Sequence, residues 1–575
     1  MCGIAGIIGT TNLQAPKKRM EQMLRVQHHR GPDSSGVLQP DDHIVLGHNR
    51  LSIIDLSAEA SQPFVSNDGR WLLVFNGEIY NYRELRTELE SNYPFRTNSD
   101  TEVLLASWTQ WGVQCLDKLR GMFAFAIYDQ QEKLLSLVRD RFGVKPLYYA
   151  MNNEGELLFA SEIKTLFAGG LKKAPNASMW ASYCTKGSFQ FEDKTFWEGV
   201  HTLPAGHLAE ISLQGSNPIK VQPKQWYDFV HRIQALRANT AYRNRSEEEH
   251  LHHYQLLLEE SIQLRFRADV PVGFNVSGGL DSSVLLGAVN KLYPADHIQA
   301  FSFYTGDERY DELPWVEALI AETNKPLNKV LLSAVEVPDL ANKVSFYQDE
   351  PYGGIPTLAY SKIFAAAREK GVIVLLDGQG MDEAWAGYDY YHQQSDSVVQ
   401  GVKSSPLRPE VLDPDFAVRA YNIQYPQPFD EALLNKQYRD LFYTKIPRAL
   451  RFNDRISMMH STELREPFLD HLLVEYAFAL PVKMKVQNRQ SKWALRKLAG
   501  QYLSGGLHLA PKRPLQTPQR EWLTEDLKSW TNSKIESLQQ HPWFKADALM
   551  QEWNAFLQTD RDNTFFVWQW CSLEV

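Results

Sequence analysis

VGFNVSGGLDSS, residues 272–283, is the stretch from which the fold of the second half of this chain is read. Val272–Val276 is a short apolar run, the pattern of a strand buried on both faces. The glycine pair after it predicts a tight turn, and Ser282–Tyr293 predicts a helix. A glycine-rich turn feeding a helix presents backbone N–H groups to an anion, and the helix dipole favours negative charge there. The turn lacks the Gly-Lys-Ser/Thr ending of a Walker A loop. A bare SGG turn would read as helix capping and nothing more. The surroundings repeat the pattern. A helix over Leu251–Arg267 precedes it, and a strand over Ile298–Phe303 follows. A helix over Thr357–Lys370 then leads to a strand over Val372–Leu376. This alternation predicts an α/β domain with a doubly wound parallel sheet. The rest of the chain reads as mostly helical, with turns at Pro406, Pro414, Pro426 and Pro428.

The first half has a different rhythm. His43–Leu46, Trp71–Phe75, Phe123–Tyr128, Leu134–Val138 and Leu157–Ala160 are short, apolar and bounded by Gly, Asn or Asp, as strands are. Helices are expected over Tyr82–Glu90 and Thr101–Trp111, the second with Asp100 as its N-cap. Two packed antiparallel sheets with a few helices accommodate this. Near Gln214–Arg245 the text turns polar and holds Pro218 and Pro223. We therefore expect one domain over residues 1–215, a linker over 216–245 and a second domain over 246–575. Glu247–Glu249 reads as a solvated helix start.

Composition limits the classes of function. The 575 residues are 43% hydrophobic and 22% charged, ordinary globular usage. Lys and Arg total 60 against 69 Asp and Glu, a net charge of −9. That balance argues against a protein built to grip nucleic acid. Four cysteines (Cys2, Cys115, Cys184, Cys571) with no CxxC pair suggest neither a disulfide framework nor zinc, and point to a reducing compartment. Met122–Tyr128 is far shorter than the roughly 20 apolar residues of a membrane span. The start, MCGIAGIIG, lacks a basic n-region. A cytoplasmic protein without a membrane partner is expected.

Cys2 is a candidate nucleophile. Once Met1 is removed, one residue carries both a thiol and an α-amine whose pKa lies near ~7.7–8.0. A thiol beside such a base is an activated nucleophile. Position alone would not carry this, because any residue can follow Met1. The neighbouring motifs do: HHRGPDSSG (28–36), GHNRLSIID (47–55), FNGEIYNY (75–82), NSDTEV (98–103), RDRFGVKPLYY (139–149) and ASEIKTL (160–166). Together with MCGIAGIIG they resemble the glutaminase domain of class II glutamine amidotransferases, an α+β N-terminal-nucleophile sandwich of two antiparallel sheets. The resemblance implies that Cys2 forms a glutamyl thioester. It implies that the Asn76 side chain and the Gly77 N–H form the oxyanion hole, two donors of the kind acyl transfer needs. Arg50 would clamp the glutamine α-carboxylate. Glu78 and Asp100 would hold its α-ammonium.

SGGLDSS after a buried strand resembles the pyrophosphate loop of ATP pyrophosphatases, and LLDGQGMDEAWAGY (375–388) resembles the second loop of asparagine synthetases. With RQSKWALRKL (489–498) and STELREPFLDHLLVEYAFALP (461–481), the whole chain resembles the glutamine-hydrolysing asparagine synthetase family. The resemblance implies ATP and Mg²⁺ as cofactors. It places Val276, Ser277, Gly278, Gly279, Asp281, Ser282, Phe303, Asp377 and Gly378 at ATP, and Asp281 and Asp382 at the metal; two carboxylates plus phosphate oxygens suffice for Mg²⁺. Lys492 would neutralise charge at the α-phosphate. Gln379 and Asp382 would line the acceptor pocket. The implied partners are glutamine, ATP and aspartate, with a homodimer and no nucleic acid.

One departure bears on the acceptor. Gln379 stands where the family pattern has Glu, and Asp377 where it has Ser. Gln379 can hydrogen-bond but cannot take a proton. Aspartate-to-asparagine ligation is thus the first reading. The same chemistry on a sugar uronic acid, a peptide or a metabolite carboxylate is the second. A tRNA-modifying ATP pyrophosphatase is opposed by the charge and the glutaminase half, and a silent binding protein by the retained Cys2, SGGLDSS and Lys492.

Overall fold

In the computed structural model, the described residues are all except 216–217, 295–297, 324, 393–405, 489, 504–515, 560–563 and 574–575. Arg489 of the quoted RQSKWALRKL therefore lies outside them.

The first half is strand-rich: β1 (Gly3–Ile8), β2 (Ser34–Asp41), β3 (Ile44–Arg50), β4 (Phe64–Val65), β5 (Trp71–Ile79), β6 (Gly121–Asp129), β7 (Leu134–Arg139), β8 (Tyr148–Met151), β9 (Leu157–Ala160), β10 (Val200–Thr202), β11 (His207–Ser212) and β12 (Lys224–Gln225). They form two antiparallel sheets, in the orders β10-β8-β9-β1-β3-β2 and β12-β11-β7-β6-β5-β4. Strand periodicity explains the layers. From β1, Ile4 and Ile8 enter the core between the sheets with Leu46, Val74, Ala124 and Leu137. Ala5 and Ile7 point the other way, against Met20, Met23 and Leu24 of the helix Pro16–Val26. On the outer face of the second sheet, Val103, Leu104 and Trp108 of the helix Asp100–Trp111 cover Phe75, Phe123 and Phe125. The result is helix, sheet, sheet, helix.

The second half holds a parallel sheet of β13 (Val272–Asn275), β14 (Ala300–Tyr304), β15 (Leu327–Leu331), β16 (Val374–Leu376) and β17 (Glu463–Arg465). The order is β15-β14-β13-β16-β17, and each neighbouring pair runs parallel. Its central strands are almost wholly buried, as expected with helices on both faces. From β13 the chain steps outward to β14 and β15, then crosses back to β16 on the other side. That reversal is a topological switch point, and the crevice at the strands' carboxyl ends there is where such sheets take ligands. The two loops meeting in it are Val276–Gly279 after β13 and Asp377–Gly380 after β16.

Three local readings are corrected. The N-cap of the helix Asp100–Trp111 is Ser99, whose side chain accepts from the Glu102 N–H; Asp100 is the first helical residue. The helix span read as Leu251–Arg267 is Glu247–Arg265; it opens at the acidic run read as a helix start, with a capping box between Ser246 and Glu249. Pro414 opens a short helix, Pro414–Ala417, capped by Asp413, instead of marking a turn. Within the expected linker, Lys224–Gln225 pairs with β11, and Phe229–Ala238 is a helix.

The halves meet through buried charge. Arg30 grips Asp454 with two hydrogen bonds, Nη1–Oδ2 2.8 Å and Nη2–Oδ1 3.1 Å. Its Nη1 also donates to Glu162 at 3.0 Å, and its Nε to the Cys2 carbonyl at 3.0 Å. All three side chains are buried. Removing one partner of such a set strands the others in low dielectric. Arg30→Met is expected to cost about 3–5 kcal/mol, read as a lowered midpoint in urea unfolding.

Glu463 and the Met1 ammonium form a second buried pair across the halves, 2.9 Å apart. Burial works to raise the Glu463 pKa, but the Met1 ammonium and Arg465 hold it down at about 2. A carboxylate depressed in the folded state stabilises above its unfolded pKa of about 4.3. That contribution is lost as pH falls from there through about 2. In chain retaining Met1, the stability gap between parent and Glu463→Gln should be full at pH 7 and close as pH falls from 5 to 2. Urea titrations along that pH series measure it.

Candidate active sites in the two halves

The first site sits where β1 and β5 approach. Cys2 is 8% exposed, with Sγ 3.9 Å from the Leu51 carbonyl. Its backbone N–H donates to Asn76 Oδ1 at 2.9 Å. That contact orients the Asn76 amide so that its buried Nδ2 has no partner among the described residues. An unpaired buried donor costs free energy unless something is to fill it. Here it belongs to the side chain held by the Cys2 main chain, and a free donor of this kind is what an oxyanion requires. Gly77 is required by space, because a Cβ there would sit 2.1 Å from the Met122 carbonyl oxygen.

Arg50, Glu78 and Asp100 gather around this centre. Arg50 Nη1 donates to the Ser57 carbonyl at 2.6 Å, and its Nη2 to the Asp55 carbonyl. Burial pushes Glu78 well above the usual carboxylate range, helped by Glu463 and Asp100. Burial also raises Asp100 to about 7, against the Ile79 N–H that donates to it at 2.9 Å. Two carboxyls raised by burial and by the nearby Glu463 carboxylate are poised to become ionised beside an incoming ammonium. Burial raises the Cys2 thiol, an effect the Met1 ammonium opposes.

Three residues of this site were not singled out from sequence. Arg30 holds the Cys2 carbonyl. Arg465, on β17 of the other half, reaches Glu78 at 3.4 Å and donates to Glu463 at 2.5 Å. Glu463 takes the amino terminus. All lie in quoted segments, but Arg465–Glu78 and Glu463–Met1 span hundreds of residues and leave no local signal.

The second site lies in the switch-point crevice. Ser282 Oγ accepts from the Ser277 N–H at 3.2 Å and donates back to the Ser277 carbonyl at 2.5 Å, which folds the turn onto the helix Leu280–Leu292. The Gly278 N–H already binds an anion: the Glu312 carboxylate accepts from it at 3.2 Å. Val276 continues the ladder by donating to the Phe301 carbonyl at 2.9 Å. Val276, Ser277, Phe303 and Tyr360 line a small pocket beside the turn. The Asp377 N–H donates to the Arg465 carbonyl at 3.0 Å, and burial raises its carboxyl to about 6. Gly378 packs on Asp281, so the two loops touch.

Lys492 joins the aspartates. Its Nζ is 2.5 Å from Asp382 Oδ1 and also pairs with Asp281. Burial works against its charge, yet the two carboxylates keep its pKa above the usual lysine value. Its backbone is left-handed, at φ 56°, a strained state of the kind that clusters at functional sites. Gly387 makes room, since a Cβ there would lie 1.8 Å from Asp382 Oδ1 and 2.5 Å from Lys492 Cε. Two carboxylates converging on one cation are a hard-oxygen donor set that fits Mg²⁺ completed by phosphate oxygens. Gln379 instead faces a separate cavity of about 560 Å³.

Elsewhere, Cys115, Cys184 and Cys571 are buried and free, and burial pushes Cys115 and Cys571 up to about 12, so they are structural thiols. No helix among the described residues is long and apolar enough to cross a membrane.

Comparison with known proteins finds a family for each half. The glutamine amidotransferase domain family matches residues 1–227, and the asparagine synthase family residues 253–575. Asparagine synthetase [glutamine-hydrolyzing] 1 of Bacillus subtilis is 28% identical, over 99% of this chain and 95% of that one. A putative asparagine synthetase [glutamine-hydrolyzing] of Mycobacterium tuberculosis is 29% identical, over 94% and 91%. Amidase chyE of Penicillium rubens is 27% identical, over 91% and 89%. With both halves matched in order over nearly its whole length, the chain belongs to the glutamine-hydrolysing asparagine synthetase family of ATP-dependent carbon–nitrogen ligases.

Proposed function

We propose that this chain makes an amide from a carboxylic acid, with glutamine as nitrogen donor and ATP as activator, the work divided between residues 1–215 and 246–575. The observation that carries the reading is the pair of sites: a thiol beside an unfilled amide donor in one half, and Lys492 between two aspartates at an anion-binding turn in the other.

In the first half, Met1 is removed and the Cys2 amine takes the thiol proton. The thiolate attacks the glutamine side-chain amide, and the oxyanion is held by Asn76 Nδ2 and the Gly77 N–H. Arg50 binds the α-carboxylate, while Glu78 and Asp100 bind the α-ammonium. Ammonia leaves, and water releases glutamate.

In the second half, ATP lies with its phosphates at Ser277–Asp281 and Ser282, with Asp377 and Gly378 opposite and its adenosine against Val276 and Phe303. Asp281 and Asp382 would hold Mg²⁺, which would supply positive charge to offset that of the phosphates. The acceptor carboxylate attacks the α-phosphorus, pyrophosphate leaves, and Lys492 offsets the charge that develops. Ammonia then attacks the acyl-adenylate, loses a proton, and AMP departs. With both sites on one chain, ammonia passes from the first to the second without leaving the protein. The reading includes a cytoplasmic protein and a homodimer, the latter checked by sedimentation.

The family reaction takes aspartate to asparagine, and this is the first reading of the acceptor. Gln379 favours the second, a different carboxylate. The experiment is pyrophosphate release that requires glutamine, ATP and an acid together; asparagine formed from L-aspartate would decide for the first reading.

A further inference from the structure

The cavity beside Gln379 is built on the scale of a larger ligand than aspartate. At about 560 Å³, it falls within the ~300–1,000 Å³ of pockets that enclose drug-sized molecules. Its place ties it to the nucleotide. Gln379 follows the Gly378 that packs on Asp281. Tyr360 lines both this cavity and the small pocket at Val276 and Phe303. A molecule in the large cavity and a nucleotide in the small one would therefore share a wall at the loop where the acyl-adenylate forms.

The lining has two characters. Tyr360, Tyr443 and Phe452 give it aromatic surface, and Lys445 and Arg448 give it positive charge. Neighbouring arginines are already neutralised, Arg439 by Asp440 at 3.0 Å and Arg451 by Glu350 at 2.6 Å. Among the described residues no carboxylate stands within ion-pair distance of Lys445 or Arg448. Lys445 rests instead over the Tyr388 and Tyr390 rings, at 5.0 and 5.4 Å. Burial and the adjacent Arg448 push its pKa down to about 7, so an anion there would be stabilised by both groups. Tyr443 projects from a π-helical turn, Asp440–Thr444, that interrupts the helical run; such turns are frequent at functional sites.

Resting on the ligase reading, we propose that the acceptor is a carboxylic acid with an aromatic or extended apolar body, seated on Phe452 and Tyr443, its carboxylate presented at Gln379 and its charge offset by Lys445 and Arg448. A small acid such as aspartate, with no apolar body, leaves most of this surface uncovered. The carboxylate gains AMP from ATP as pyrophosphate leaves, and ammonia from glutamine then displaces AMP, so no further reactant is needed.

The test compares 3-phenylpropanoate and indole-3-acetate with L-aspartate in the full-length chain. Binding is measured by calorimetry with the nonhydrolysable α,β-methylene analogue of ATP, and turnover by glutamine-dependent pyrophosphate release. The aromatic acids are expected to bind at least tenfold more tightly than aspartate and to drive faster release. Arg448→Gln and, separately, Lys445→Gln should each weaken their binding at least fivefold, while glutamine hydrolysis at Cys2 and the melting temperature stay at parental values. Equal or tighter binding of aspartate, with release driven by aspartate alone, overturns the acceptor proposal and leaves the ligase reading standing. Tight binding of the aromatic acids without pyrophosphate release from any acid overturns the ligase reading, and the acceptor proposal with it.

Discussion

Cys2→Ala is expected to lower glutamine hydrolysis by at least about 10⁴-fold while leaving pyrophosphate release driven by ammonium salts at the parental rate. The first effect follows from chemistry that no neighbour can replace. Cys2 is the residue whose main chain holds the Asn76 amide, and without its thiol no thioester forms. The second follows from distance in the fold: Cys2 stands on the sandwich, whereas Lys492 and the two loops stand at the parallel sheet. Alanine keeps the main-chain nitrogen that holds Asn76, so the oxyanion donors stay in place. Glutamate by enzymatic assay and pyrophosphate by coupled assay, on one preparation, read both effects. Loss of the two activities together would mean that the sites are not separable. The same logic makes Met1 removal essential. With Met1 present the amine sits at Glu463, and Cys2 has none of its own to take the thiol proton.

Lys492→Met should reduce pyrophosphate release by about 10²–10³-fold, the range for removing one preorganised charge at a transition state. Glutamine hydrolysis should not change. Lysine is buried here at a cost that only its two aspartates offset, an arrangement that a structural role alone does not require. Lys492→Arg should not rescue it. The space beside Lys492 Cε exists only because residue 387 is glycine, and the broad planar guanidinium does not replace a compact ammonium. Steady-state kinetics with ammonia as nitrogen donor isolate this half. A loss in KM alone, with kcat preserved, would place Lys492 in binding and not at the reacting phosphate.

Much of the architecture was legible from local pattern. β9 was read with its bounds as found, and β5, β6 and β7 within a few residues, because apolar runs bounded by turn residues mark strands. The switch-point loop was legible because the strand, glycine and helix signals fall in twelve consecutive residues. Helix starts were less so. Thr97, Ser99 and Asp100 all have capping side chains, and only the fold turns Asp100 toward the Ile79 amide and leaves Ser99 as the cap. The acidic run Glu247–Glu249 marks the start of its helix, although the apolar period begins only at Leu251. The joins between the halves were illegible for a deeper reason. Arg30 and Asp454 are 424 residues apart, and nothing local marks two charges that meet only when two domains dock. The cavity at Gln379 is of the same kind: its lining comes from the sandwich-side segment at Phe189, the helix Gly354–Glu369 and the helix Lys445–Met458.

The measurement that bears most directly on the central claim follows the nitrogen and the nucleotide together. The processed chain is given ATP, glutamine labelled with ¹⁵N in its side-chain amide, and the acid selected by the acceptor comparison. The account predicts one AMP, one pyrophosphate and one glutamate for each amide formed, with the ¹⁵N in that amide. Glutamate released while ATP is cleaved to ADP and phosphate, or an amide without the label, would contradict it.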